Sequence, residues 1–185
     1  GSPAAVSVFT NGTLLSAEKL EALGSNGVWT ILSLDGNKET NDLNRGYHDD
    51  SGSVYDDVMA NIEGLPRSKM GINMVFNSKT VGSLVRNIDL FYRKGFRSIA
   101  FYPELYETWS QKDLAALDKA LLEFEAYYFS KFESSQEPFT VSPVPSILER
   151  TAPSAKAWWH ECGNLILGGD GNYHICDKAM SFPLE

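Results

Sequence analysis

Apolar and polar positions along this chain fall into short runs separated by helical stripes. Residues 5–10 are an apolar run bounded by Asn11-Gly12, which predicts a strand. Ser16 then stands as the N-cap of a helix with Leu20 and Leu23 on one face, and Gly24 is placed to end it. Residues 28–34, Val-Trp-Thr-Ile-Leu-Ser-Leu, predict a second strand whose nearly continuous apolarity reads as a buried parallel strand. After a loop rich in Asn, Asp and Gly, Ser53 and Asp56 form a capping box. The helix it opens carries Tyr55, Val58, Met59, Ile62 and Leu65 at helical spacing. A third strand is read at 71–76, and its helix runs from about Val81 to Lys94 with Leu84, Val85, Ile88 and Phe91 inward and Gly95 as a stop. The fourth strand is 98–102. A second capping box, Ser110 with Asp113, opens the last helix, which continues through Leu114, Leu117, Leu121, Phe124 and Tyr128.

Strand–helix units in succession imply parallel strands with right-handed crossovers. The four units read here are too few to close a (β/α)8 barrel. The fold class expected is therefore α/β, a partial (β/α) barrel or open parallel sheet of about four βα units, plus a C-terminal β-hairpin. Residues 1–133 form the α/β part, and 134–157, with Ser-Ser-Gln-Glu-Pro and Val-Ser-Pro-Val-Pro, read as a linker. Residues 158–185 are a small module in which 164–167 and 172–176 pair across a Gly-Gly-Asp-Gly turn.

Composition narrows the function. With 43% apolar and 22% charged residues, the 185-residue chain has the make-up of an ordinary globular protein with a core of its own. A net charge of −8 argues against nucleic acid as a partner, because phosphate binding needs a clustered basic surface. No apolar run reaches the roughly eighteen residues of a membrane span, so no membrane partner is expected. No signal-peptide pattern is visible, which fits the cytoplasm. Gly1-Ser2 reads as the remnant of a protease cleavage, so the natural N-terminus is expected elsewhere.

In a parallel α/β sheet, ligands gather outside the carboxyl ends of the strands. Those ends read Thr10-Asn11-Gly12, Ser33 with Asp35-Gly36, Asn77, and Tyr102 with Glu104. Any one of them is explained as a turn leaving a strand. Four together deliver hydrogen-bonding groups to one rim.

Val8 to Ser16 (VFTNGTLLS), Ile31 to Arg45 (ILSLDGNKETNDLNR), the SGSVYDDVMANIEGL helix and CGNLILGGDGNYHIC together resemble a radical S-adenosylmethionine (AdoMet) enzyme with a C-terminal SPASM-type iron–sulfur domain. The resemblance spans almost the whole chain in order and spacing. It implies a partial barrel whose first strand leads into a C-x-x-x-C-x-x-C loop holding a [4Fe–4S] cluster, and whose second ends in a GGE that grips the methionine amine. In that pattern Asn11 lies near the cofactor, Ser33 at the AdoMet ribose or carboxylate, and Arg45 is a carboxylate partner. Tyr102 and Glu104 line the adenine or substrate side. Asp35 reads as a loop-holding residue rather than a catalytic acid. The implied activity is that of an oxidoreductase: a reduced cluster cleaves AdoMet to a 5′-deoxyadenosyl radical that abstracts hydrogen from a peptide, protein or small-molecule substrate.

The sequence departs from that pattern in one respect that matters. It has no C-x-x-x-C-x-x-C and no GGE, and a [4Fe–4S] cluster is held by cysteine thiolates. The chain alone is therefore expected to be inactive, as part of a longer enzyme or as a degenerate homologue. Its only cysteines, Cys162 and Cys176, match the opening of a SPASM region and are candidate metal ligands. His160-x-Cys162 and His174-x-Cys176 offer a rival, a tetrahedral zinc, since alternate residues of a strand share a face. Two readings of other classes stand beside the enzyme: a non-catalytic binding module that has lost the cluster, and a barrel hydrolase using Asp35 and Glu104 with Trp109 as a sugar platform. The strand at 5–10, lacking one neighbour, is expected to pair with a second copy of the chain as a homodimer or to be covered by the chain's own tail.

Overall fold

Five strands lie side by side in chain order, all parallel: β1 (Val6–Thr10), β2 (Val28–Ser33), β3 (Met70–Phe76), β4 (Ser98–Pro103) and β5 (Thr140–Ser142). The structure is a computed structural model and describes residues 5–49, 51–134, 139–142, 166–167 and 173–174. The connecting helices are α1 (Ala17–Ser25), α2 (Lys38–Asn44), α3 (Val54–Asn61), α4 (Leu84–Arg93) and α5 (Gln111–Ser134). The architecture is an open α/β sheet of partial-barrel type. No described helix is long and apolar enough to cross a membrane.

Strand order that follows chain order, with right-handed crossovers, sends every helix to one face of the sheet. Burial shows that asymmetry. Paired residues of parallel neighbours share a face. The set Leu32, Met70, Ile72, Met74, Ile99, Phe101 and Val141 is buried and forms the core with Val58, Leu84, Ile88 and Phe91 of the helices. Burying each such side chain contributes about 1.5–3 kcal/mol. The opposite set, in which Phe9 pairs with Ile31, Ser33 with Asn73 and Val75 with Tyr102, is only partly covered. Phe9 is 62% exposed, Tyr102 42% and Trp29 36%. Contrary to what its apolar run implied, β2 is thus not buried on both faces. Two of its outward residues, Trp29 and Ile31, are large and apolar although only one side carries helices.

Local chemistry explains most element ends. Ser16 Oγ accepts the Lys19 N–H at 3.4 Å and starts α1, but Gly24 does not stop it. The helix continues one residue further, and Gly27 (φ 69°) makes the left-handed turn while its N–H donates to the Gly24 carbonyl. Ser53 Oγ caps α3 by accepting the Asp56 N–H at 3.0 Å, whereas the Asp56 carboxylate turns away to pair with Lys38 of α2. The Ser110–Asp113 box closes in both directions, at 3.3 and 2.9 Å. Along α5 the predicted stripe is only partly inward: Phe124 is buried, as is Ala120 outside the stripe, while Leu114 and Leu121 remain exposed.

Two elements depart from the sequence reading. Residues 38–44, read as loop, form α2. Residues 140–142, within the stretch read as linker, form β5 beside β4, with Phe139 packed against Tyr92, Tyr127 and Tyr128. The chain divides into two units, 1–143 and 144–185. In the second, Ile166–Leu167 and Tyr173–His174 pair antiparallel, inside the hairpin read at 164–176. Cys162, Cys176 and His160 lie outside the described residues, so the metal readings placed on them carry no structural description. Among the described residues no three His, Cys, Asp or Glu side chains are grouped to hold a metal.

Candidate functional site

The carboxyl ends of β2, β3 and β4 enclose a cavity of about 440 Å³ lined by Asp35, Leu43, Asn44, Arg45, Val75, Asn77 and Glu104. A more open hollow of about 540 Å³ lies among α2, α3 and α4. It gathers no group from the strand ends, so the rim cavity is the candidate site.

Asp35 is its hub. The chain leaves the sheet one residue after Ser33, where Leu34 N–H donates to the Asn73 carbonyl. At the next position the carboxylate takes over: Asp35 Oδ1 accepts the Val75 N–H at 2.9 Å, in place of a strand carbonyl. The backbone around it is fully held. Asp35 N–H donates to Asn41 Oδ1 at 3.1 Å, Asn87 Nδ2 reaches the Asp35 carbonyl at 3.5 Å, and Asn37 N–H donates to Asn87 Oδ1 at 3.2 Å. Gly36 (φ 147°) completes the turn, and a Cβ there would sit 2.2 Å from Asn87 Nδ2. Any other residue at this position clashes with a buried side chain.

The second carboxylate oxygen, Asp35 Oδ2, lies 2.9 Å from Arg45 Nε and 3.4 Å from Asn44 Nδ2. Asn44 Oδ1 in turn accepts from Asn77 Nδ2 at 3.0 Å, which ties α2 to the end of β3. The Arg45 contact is one of charge. Its Nε–H is not aligned on the carboxylate and is buried without a hydrogen-bonding acceptor among the described residues. Arg45 is 29% exposed and lines the cavity. A guanidinium whose Nε–H lacks an acceptor, at the edge of a cleft, fits a bound carboxylate.

The other predicted residues are distributed unevenly. Ser33 and Tyr102 stand on the open face of the sheet, in register with Asn73 and Val75. Asn11 is exposed at the end of β1, where its Oδ1 accepts from the Thr13 N–H and hydroxyl, and it does not line the cavity. Its loop is clamped by Asn61, whose Nδ2 donates to the Gly12 and Thr13 carbonyls. Glu104 lines the cavity, but Asp35 offers it no free carboxylate oxygen as a partner: both Asp35 oxygens are engaged and Asp35 is 3% exposed. Trp109 is no platform either. Its indole N–H donates to the Glu104 carbonyl and its ring meets Phe76 edge-on.

Sequence reasoning missed Asn41, Asn44, Asn61 and Asn87. Asn87 carried a usable signal, a polar residue on the buried stripe of α4. The β3–α4 loop is braced by Glu107, which accepts the Ser78 N–H and hydroxyl at 2.8 and 2.7 Å.

No protein-family model matches the chain, and no curated protein matches it in sequence. Solved structures do. Native anSMEcpe with bound AdoMet and the Cp18Cys peptide superposes with a TM-score of 0.73 at 22% identity, covering 92% of this chain and 50% of that one. A histidine-tagged form of anSMEcpe with bound AdoMet gives 0.68 at 22% identity over 82% of this chain and 42% of that one. The chain thus spans at most half the length of these proteins. The likeness places its fold with that of anSMEcpe.

Proposed function

We propose that this chain forms the AdoMet-facing part of a radical AdoMet enzyme that acts on a peptide or protein. The observation that carries the reading is the fold shared with AdoMet-bound anSMEcpe over 92% of the chain, with an under-satisfied arginine at the carboxyl-end rim of this chain's own sheet. The AdoMet carboxylate docks on Arg45, and Ser33 and Tyr102 of the open sheet face meet its nucleoside part. The peptide complexes of anSMEcpe, with Cp18Cys and with Kp18Cys, support a peptide as the substrate class.

AdoMet supplies radical chemistry only when a reducing cluster stands beside it. None of the described residues is a cysteine, so they do not fit that cluster and no step through it belongs to them. Their task is binding. The open face holds the ligand, the rim orients its charged end, and the helices behind the sheet keep both rigid.

The test is calorimetric titration of AdoMet into the anaerobically reconstituted protein at its full natural length, with iron and sulfide analysis beside it. Binding that weakens about tenfold in Arg45→Gln, the loss expected for a charge-assisted contact, supports the reading. Absence of AdoMet binding in the cluster-loaded protein overturns it. AdoMet binding without iron or sulfide moves the assignment to a binding module.

A further inference from the structure

We infer that Asp35 is a positioning residue: its buried carboxylate fixes the Arg45 guanidinium at the rim so that the remaining donors of Arg45 face a ligand carboxylate. The inference rests on reading the rim cavity as the AdoMet site. It deepens that reading by separating the residue that touches the ligand from the one that aims it.

Arg45 needs such a partner. It follows the last residue of α2, and its backbone N–H donates to the Asn41 carbonyl at 2.7 Å. The side chain is long, partly exposed and free to sample many rotamers, a cost of up to about 2 kcal/mol when it is ordered on binding. Asp35 removes much of that freedom beforehand. Its carboxylate cannot swing away without surrendering the Val75 N–H, and Asn44 holds the oxygen that faces Arg45. At 3% exposure the carboxylate is hardly screened by water, so its pull on a guanidinium 2.9 Å away is strong.

The alignment matters as much as the distance. Were Arg45 Nε–H pointed squarely at Asp35, the pair would be a closed structural ion pair. Here the two are held by charge while the Nε–H stays uncommitted. The arrangement keeps the cation in place and its hydrogen-bonding capacity in reserve.

A structural role and a positioning role separate on ligand chemistry. AdoMet and decarboxylated AdoMet differ only in the carboxylate that Arg45 is proposed to bind. In the full-length protein, Asp35→Asn is expected to weaken AdoMet about tenfold, the loss of about one charge-assisted contact. Its affinity for decarboxylated AdoMet should stay within about twofold of the parent, because a tenfold change corresponds to about 1.4 kcal/mol and less than a third of that is expected. Equal losses for both ligands, or no loss for either, overturn the inference while the AdoMet reading stands. Failure of the unsubstituted protein to bind AdoMet sinks both.

Removing one member of a buried charge pair can unfold a protein, whereas removing both is often tolerated. The double variant Asp35→Asn/Arg45→Gln therefore gives an independent measurement. It should bind AdoMet as well as Arg45→Gln alone, since Asp35 acts only through Arg45. A weaker double variant contradicts the inference.

Discussion

Thr30 sits in the middle of β2 on the covered face, fully buried, and its hydroxyl has no hydrogen-bond partner among the described residues. A buried polar group without a partner costs about 1–3 kcal/mol. Thr30→Val keeps the branched shape and removes the orphan, so it should stabilise the fold by about 1 kcal/mol. A urea titration checks this as a higher midpoint with unchanged slope. A lower midpoint shows that the hydroxyl is satisfied in solution. Single residues were legible in the sequence only where their role is local. Asp35 beside Gly36 read correctly as a loop holder, because an Asx residue next to glycine signals a turn. That its carboxylate takes a strand N–H from β3, 40 residues away in sequence, has no local signature.

Among elements, α2 departs furthest from its sequence pattern. Its seven residues contain one large apolar side chain, Leu43, and that one is 62% exposed. Nothing in the apolar period announces a helix. What makes it is polar: Asn37 Oδ1 accepts the Thr40 N–H at 3.0 Å, and Thr40 and Asn41 are buried. Because α2 ends at Asn44 and delivers Arg45, its cap serves the site. Asn37→Ala should lower stability by about 1 kcal/mol and weaken AdoMet binding with it. Denaturation and titration of the same sample test the two together, and intact binding after the loss of stability separates cap from site.

The junction of α2 and α3 also carries an acid-sensitive contact. Partial burial pushes the Asp42 carboxyl upward, but hydrogen bonds from Ser53, the Tyr55 N–H and Asn41 outweigh it and hold the group below the usual aspartate range. A carboxyl depressed in the folded state stabilises above its unfolded value of about 3.9 and loses that contribution as pH falls through the folded value. Stability should therefore decline below about pH 4, and Asp42→Asn should flatten that part of the curve. An unchanged acid limb in Asp42→Asn removes this residue from the account.

At the scale of the molecule, strand–helix alternation was plain in the sequence because each helix wrote its apolar stripe and most carried a cap. β5 was not, since three residues leave no periodicity to read. Sheet order follows from the handedness of crossovers, but the exposure of one face does not follow from apolarity. Trp29 belongs to a strand read as buried and Phe9 to an apolar run, yet they stand partly and largely open. The outer strand β1 pairs only with β2 among the described residues, and Val6 and Phe9 on it are more than half exposed. The 185-residue chain by itself should self-associate through that edge. Phe9→Lys should return it to a monomer in light scattering, and a monomeric parent at high concentration disproves the idea.

The one-sided sheet also gives the molecule an optical probe of its own. Trp29 is one of four tryptophans, and it stands on the face that the helices leave open. Whatever comes to cover that face (a nucleoside, a peptide or further strands) strips water from its indole. The blue shift that follows, isolated by difference against Trp29→Phe, turns occupancy of the sheet into a colour.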